Sequence, residues 1–251
     1  SSCLYSSKLA SQLAAHLFGP LPTSMDVQEA QRTRIVRLPA LLSAVEISAV
    51  RELAAEFRKR PGHNKAMQWH VLFLQADRFF MDRQPELFEK IRETVLRVDR
   101  ENWGVIGGGS CNLRVAEFHR HSAPSEGLLD PHHYDMGSLV TIDLLLGDGS
   151  FEGGCFRTLE PDGSFLEHSM AVGDALLFVS HKYHCVAPVT AGVREVLVLE
   201  FWRGPEQRCN YRCEVLEANI AALSGASTGL GGAAMPRQTM PLEAPEWALF
   251  D

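Results

Sequence analysis

From Cys111 onward the chain is written in short apolar runs that no long helix can use. Stretches rich in Val, Leu, Ile and Phe lie near 111–119, 138–146, 154–159, 165–170, 173–179, 183–189 and 193–202, separated by Gly, Asp, Pro and Ser. Runs of this length and spacing read as strands joined by turns. Gly107-Gly108-Gly109 marks the change and, without a Walker or dinucleotide pattern around it, reads as a connector. Before it the grammar is helical. Ser43 and Glu46 have capping-box spacing, Ile47, Val50, Leu53, Ala54 and Phe57 form one apolar stripe, and Pro61-Gly62 ends it. A second amphipathic helix is predicted over 85–99, with Leu87, Ile91, Val95 and Val98 on one face, and strands over 35–38 and 67–75. Strands grouped after helices predict a mainly β core with flanking helices, rather than alternating βαβ units.

The predicted organisation is one integrated domain in three parts. Residues 1–106 supply an arm and helical support, 107–204 the β core, and 205–251 a short helix near 214–223 followed by an irregular Gly/Ala/Pro-rich tail. With 251 residues, 45% hydrophobic and 22% charged, the chain can bury a sizeable single core. A formal net charge of −7 disfavours an electrostatic grip on nucleic acid. The basic cluster from Arg58-Lys59-Arg60 to Lys65 reads as a solvated helix end. No apolar run approaches the roughly eighteen residues of a membrane span, so no membrane partner is expected and a soluble, intracellular chain is favoured. Its opening, Ser1-Ser2-Cys3-Leu4, reads as a trimmed or processed start. Six cysteines are too few for a disulfide scaffold of this size, so buried or free thiols are expected. Cys209 and Cys213 are the pair close enough for a bridge or half a zinc site. Oligomeric state leaves no mark in the sequence.

The chemistry lies in two segments about fifty residues apart. In extended chain, residues i and i+2 point the same way, so His133 and Asp135 of Pro131-His132-His133-Tyr134-Asp135 can converge on one ion while His132 faces away. Among ten histidines such a pair also arises by accident. His181-Lys182-Tyr183-His184 supplies the third candidate: His184 in the returning strand, with His181, in the turn, as the competitor. Two imidazoles and one carboxylate on one face of an octahedral metal leave three positions open, the ligand set of non-heme Fe(II) oxygenases. Reading Thr190-Ala191-Gly192 as a hairpin loop pairs His184 with Val198 and turns both His184 and Arg194 inward. Four residues then separate them, or roughly 13 Å, about the reach of a metal-chelating diacid plus an extended arginine.

In order along the chain, His133-Tyr134-Asp135, Phe151-Glu152-Gly153-Gly154, Gly173-Asp174-Ala175-Leu176-Leu177-Phe178, His184-x-Val186-x-Pro188-Val189 and Gly192-x-Arg194 resemble the Fe(II)/2-oxoglutarate-dependent oxygenase superfamily, particularly its prolyl-4-hydroxylase-like branch. The resemblance spans about 112–202. It implies a double-stranded β-helix (a jelly roll of the cupin kind) with His133, Asp135 and His184 as iron ligands and Arg194 as the anchor for 2-oxoglutarate. It also implies O2 as oxidant, ascorbate as an auxiliary reductant, and oxidation of a protein side chain or small metabolite coupled to decarboxylation of 2-oxoglutarate to succinate. Asp135 fills the position that halogenating relatives leave open, so hydroxylation or a related oxidation is favoured. Phe118 and Leu145 stand where relatives commonly carry tyrosines, while Thr141 is retained at a position that can face the co-substrate. Asp143 shares strand parity with Thr141 and is a candidate substrate contact; Arg114, sharing parity with Phe118, is its candidate partner. The 119–130 connection, with His119 and His121, reads as an exposed loop that can act as a substrate lid. The other reading is a non-catalytic β-helix that binds a metal or ligand, which would have no need of an inward Arg194.

Overall fold

The computed structural model describes residues 32–60, 69–147 and 149–212. The predicted 214–223 helix, the 225–251 tail and nearly all of the 1–33 arm lie outside the described residues.

The first helix, α1 (Ala44–Arg58), begins at the predicted capping box: Glu46 N–H donates to Ser43 Oγ and Ser43 N–H donates back to Glu46. It buries Ile47, Val50, Leu53, Ala54 and Phe57, the stripe read from the sequence. A short α2 (Phe79–Arg83) leads into α3 (Pro85–Asn102), which starts with proline where a helix has no use for an N–H. Leu87, Phe88, Ile91, Val95 and Val98 are buried along α3.

The strands, in chain order, are β1 (Val36–Leu38), β2 (Trp69–Phe73), β3 (Asn112–Ser122), β4 (Val140–Leu145), β5 (Glu152–Gly153), β6 (Phe156–Leu159), β7 (Phe165–His168), β8 (Ala175–Val179), β9 (His184–Val186), β10 (Val189–Ala191) and β11 (Val193–Trp202). A six-stranded sheet runs β1-β8-β4-β11-β3-β2 with every neighbouring pair antiparallel. A three-stranded sheet β7-β6-β9 and the pair β10-β5 complete the β structure. Two strands of the N-terminal segment, β1 and β2, thus form the edges of the main sheet.

Alternation along the strands gives the main sheet two different faces. Leu113, Ala116, Phe118, Val140, Ile142, Leu144, Ala175, Leu177, Leu197, Leu199 and Phe201 join the helices in one apolar core. Phe88 of α3 stacks on Phe201 at 6.4 Å between ring centroids. The opposite face carries Leu176 and Phe178, which pack with Phe156 of the smaller sheet, and then the polar residues described below.

Two sequence readings need correction. The 183–189 strand is broken, with β9 paired to β6 and β10 to β5, so no hairpin joins it to β11. β11 instead pairs with β3 and β4, Val198 lying opposite Glu117 and Asp143 rather than His184. The second concerns Arg114. Glu200 pairs with Val115 and Phe201 with Leu113, so Arg114 is the surplus residue of a β-bulge. Counting by twos from Phe118 puts it on the helix side; the bulge re-aims it toward Glu200 on the polar face.

Candidate metal centre

His133 and Asp135 sit on an irregular segment just before β4, and His184 opens β9. Backbone bonds join the two pieces: His184 N–H donates to His133 O at 2.9 Å and Asp135 N–H to Ser180 O at 2.8 Å. Ligand atoms of His133, Asp135 and His184 lie within 4.8 Å of one another, with Asp135 Oδ1 3.5 Å from His133 Nε2 and Oδ2 4.0 Å from His184 Nε2. The geometry brings together the three residues predicted from the sequence. His132 turns away, its ring edge-on to Tyr183, and His181 is exposed.

His184 is prepared to be a ligand. Its Nδ1 lies 2.9 Å from Lys182 O, a carbonyl that only accepts, so the proton sits on Nδ1 and the Nε2 lone pair faces the carboxylate. Burial pushes its pKa down against the opposing pull of Asp135, which keeps the imidazole neutral. Asp135 is 3% exposed; burial raises its pKa, but His133, His184, Arg212 and Thr141 together outweigh this and hold it well below the usual carboxylate range. Thr141 Oγ1 donates to Asp135 Oδ2 at 2.7 Å and lies 2.9 Å from Ser180 Oγ. Its hydroxyl is committed to orienting the carboxylate.

A cavity of about 70 Å³ opens beside the triad, lined by Glu117, Asp143, Val196, Arg194 and Arg212 among others. Arg194 is 4% exposed, and among the described residues it has no hydrogen-bond or ion-pair partner. Burial pulls its pKa down while Asp143 pulls it back up. Room for its side chain comes from Gly154, at φ +62°, where an added Cβ would lie 2.6 Å from Arg194 Cδ. The Gly153-Gly154 pair is therefore a passage for the arginine as well as a turn.

Asp143 faces the cavity and is 6% exposed, but Arg114 is not its partner. Arg114 Nη1 donates to Glu200 Oε2 at 2.9 Å. Asp143 has no hydrogen-bond or ion-pair partner among the described residues; burial raises its pKa to about 7, with Asp135 adding and Arg194 opposing. His119 and His121, expected on an exposed loop, belong instead to β3, which runs to Ser122; both line the cavity with their rings stacked 6.0 Å apart. The following segment bridges to β10 and β9 at Ser125–Val189 and Leu128–Val186. Phe118 faces the helix core, so a tyrosine there would not reach this cavity.

Sequence reasoning missed Arg212. Its guanidinium contacts Glu117, Glu200 and Asp135, at 3.2, 2.6 and 3.6 Å. The signal available was indirect: Glu117 and Glu200 lie within apolar strands, where buried acids require cations. Nearby Cys209 is disulfide-bonded, contrary to the expectation of free thiols, whereas Cys111, Cys155 and Cys185 are free.

No family model and no curated protein matches the sequence. Solved structures do match in fold. A Pseudomonas putida prolyl-4-hydroxylase is 18% identical, with 71% of this chain and 97% of that chain covered and a TM-score of 0.52. The non-heme alpha-ketoglutarate-dependent carbocyclase SnoK from nogalamycin biosynthesis is 16% identical over 85% and 97%, TM-score 0.56. A Trichoplax adhaerens prolyl hydroxylase, solved with a hypoxia inducible factor peptide fragment, is 13% identical over 78% and 91%, TM-score 0.51. Among the described residues no helix is long and apolar enough to cross a membrane. In fold, this chain is similar to the prolyl-4-hydroxylase-like 2-oxoglutarate/Fe(II) oxygenases.

Proposed function

We propose that the chain is an Fe(II)- and 2-oxoglutarate-dependent oxygenase that oxidises a protein side chain or small metabolite, hydroxylation being the favoured outcome. In this reading the two sheets are the walls of a double-stranded β-helix. The observation that carries it is the company Arg194 keeps. A buried guanidinium without an ion-pair partner is costly, and Arg194, which has none among the described residues, faces the same cavity as a His/Asp/His triad. A dianionic co-substrate that chelates the metal at one end and offers a carboxylate at the other satisfies both.

The donor set fits Fe(II): two imidazoles and one carboxylate on one side, with room on the other. His133, Asp135 and His184 would hold the iron, and Arg194 would take the distal carboxylate of 2-oxoglutarate in a bidentate grip. Thr141 keeps Asp135 from rotating, and Lys182 O keeps His184 in its ligand tautomer. Phe156 and Phe178, packed at 5.4 Å, make an apolar wall against His184 that limits water. Bound iron and 2-oxoglutarate supply O2 activation, with decarboxylation to succinate and CO2 and transfer of one oxygen atom to the substrate.

The test is spectroscopic, then chemical. Anaerobic Fe(II) and 2-oxoglutarate should give the visible metal-to-ligand charge-transfer band with wild type, and admitting oxygen should yield succinate across peptide and metabolite panels. A wild type without the band, or a His184→Ala variant that retains it in full, breaks the assignment.

A further inference from the structure

We infer that the side of this cavity lined by Glu117 and Arg212 is a subsite for a substrate guanidinium, and that Arg212 fills it in the free chain. The inference rests on the oxygenase reading for the word substrate; the subsite itself is testable without iron or co-substrate.

The cradle is built from strands. Glu117 comes from β3 and Glu200 from β11, adjacent strands of the main sheet. Their side chains are 5% and 0% exposed. Each is held by partners other than Arg212: Glu117 Oε2 lies 2.8 Å from His119 Nε2, and Glu200 is bound by Arg114 and Ser138. The acids are therefore in place whether or not Arg212 is. Arg212 itself follows β11 on a segment with no helix or strand, and a third of its side chain is exposed. Its Nε and Nη2 donate to the two Glu117 oxygens at 3.2 Å each, the paired geometry that distinguishes a guanidinium from an ammonium.

Glu200 Oε1 is buried and held by Arg212 Nη2 in an ion pair at 2.6 Å. The cradle also has an acceptor that Arg212 does not reach. Asp143 lines the same cavity, nine-tenths buried, with no hydrogen-bond or ion-pair partner among the described residues. Five N–H donors in a planar fork match this set better than three donors on a point charge. The Arg212 guanidinium also touches the triad, 3.6 Å from Asp135 Oδ1. A substrate arginine seated there would lie against the metal ligands, so Arg212 must leave for it to bind.

The experiment is calorimetric titration of metal-free protein with N-acetylarginine amide, with its neutral isostere N-acetylcitrulline amide as control. Arg212→Ala should bind the arginine probe about tenfold or more tighter than wild type, since the internal competitor is gone. The citrulline probe should bind neither, and Glu117→Gln in the Arg212→Ala background should remove the arginine signal. Free arginine run in parallel separates a small-molecule source from a peptide one. Equal binding to wild type and Arg212→Ala, comparable binding of citrulline, or binding that survives Glu117→Gln would overturn the subsite and make Arg212 a structural pillar. If Arg212→Ala shows no thermal transition, Arg212→Lys and wild type at high probe concentration take its place. Saturable arginine binding to either, lost with Glu117→Gln, supports the proposal, and its absence from both overturns it. Arginine binding without succinate formation would strike the oxygenase reading alone, and succinate formation without arginine binding would strike the subsite alone.

Discussion

The two faces of the six-stranded sheet are written by the same strands and obey different rules. On the helix side, Ile142, Leu144, Leu197, Leu199 and Phe201 are fully buried and apolar, and packing is all they do. One residue away on each strand, Thr141, Asp143, Arg194 and Glu200 are buried to nearly the same degree and carry polar or charged groups. Burial alone does not separate them. The first face stabilises the fold; the second costs stability and is tolerable because its charges face one another or the cavity beside the triad.

The largest effect that tests this contrast comes from Phe201→Ala. It should cost about 3–5 kcal/mol in urea denaturation while leaving metal affinity of the folded protein unchanged; a metal affinity that falls with stability would mean the faces are not independent. Arg194→Met should do the reverse, weakening 2-oxoglutarate binding by roughly a hundredfold or more with the melting temperature held or raised, because a buried charge with no ion-pair partner among the described residues is gone. A clear drop in melting temperature would show that Arg194 is structural. Thr141→Val, which removes the donor to Asp135, should weaken Fe(II) or Co(II) binding by about tenfold, measured by titration; unchanged affinity would free Thr141 for the co-substrate role. The smallest effect is in pH. Burial raises Asp143 to about 7 in the folded chain, above its unfolded value, so the stability it contributes is present in acid and lost as pH rises through 7. Asp143→Asn should flatten the decline of metal-free stability between roughly pH 4 and 7, and a wild-type profile already flat there would contradict it.

Much of this was legible from residues alone. The α1 stripe and capping box appear where Ser43, Glu46 and the apolar spacing put them, because helix signals are local. The triad was legible because i and i+2 converge even in an irregular extended segment. Arg194 was placed on the cavity side by a hairpin that does not exist; it faces the cavity through the alternation of β11 within the main sheet instead. Strand pairing is non-local, and nothing in Thr190-Ala191-Gly192 reveals that β11 belongs with strands far away in the sequence. The bulge at Arg114 was equally invisible, since one surplus residue breaks parity without changing composition. Arg212 was hidden because its partners come from two strands and a loop that only the fold assembles.

The position of β11 also bears on how the molecule is made. It is the last strand in the described sequence, yet it sits between β4 and β3 at the middle of the sheet. A chain emerging from the ribosome therefore carries β3 and β4 with bare hydrogen-bonding edges until residues 193–202 follow. Folding that waits for such distant pairing is slow and exposed to edge-to-edge aggregation. A chain stopped short of Val193 would be two unjoined half-sheets, with Arg194 and Glu200 missing and no smaller version of the cavity to inherit.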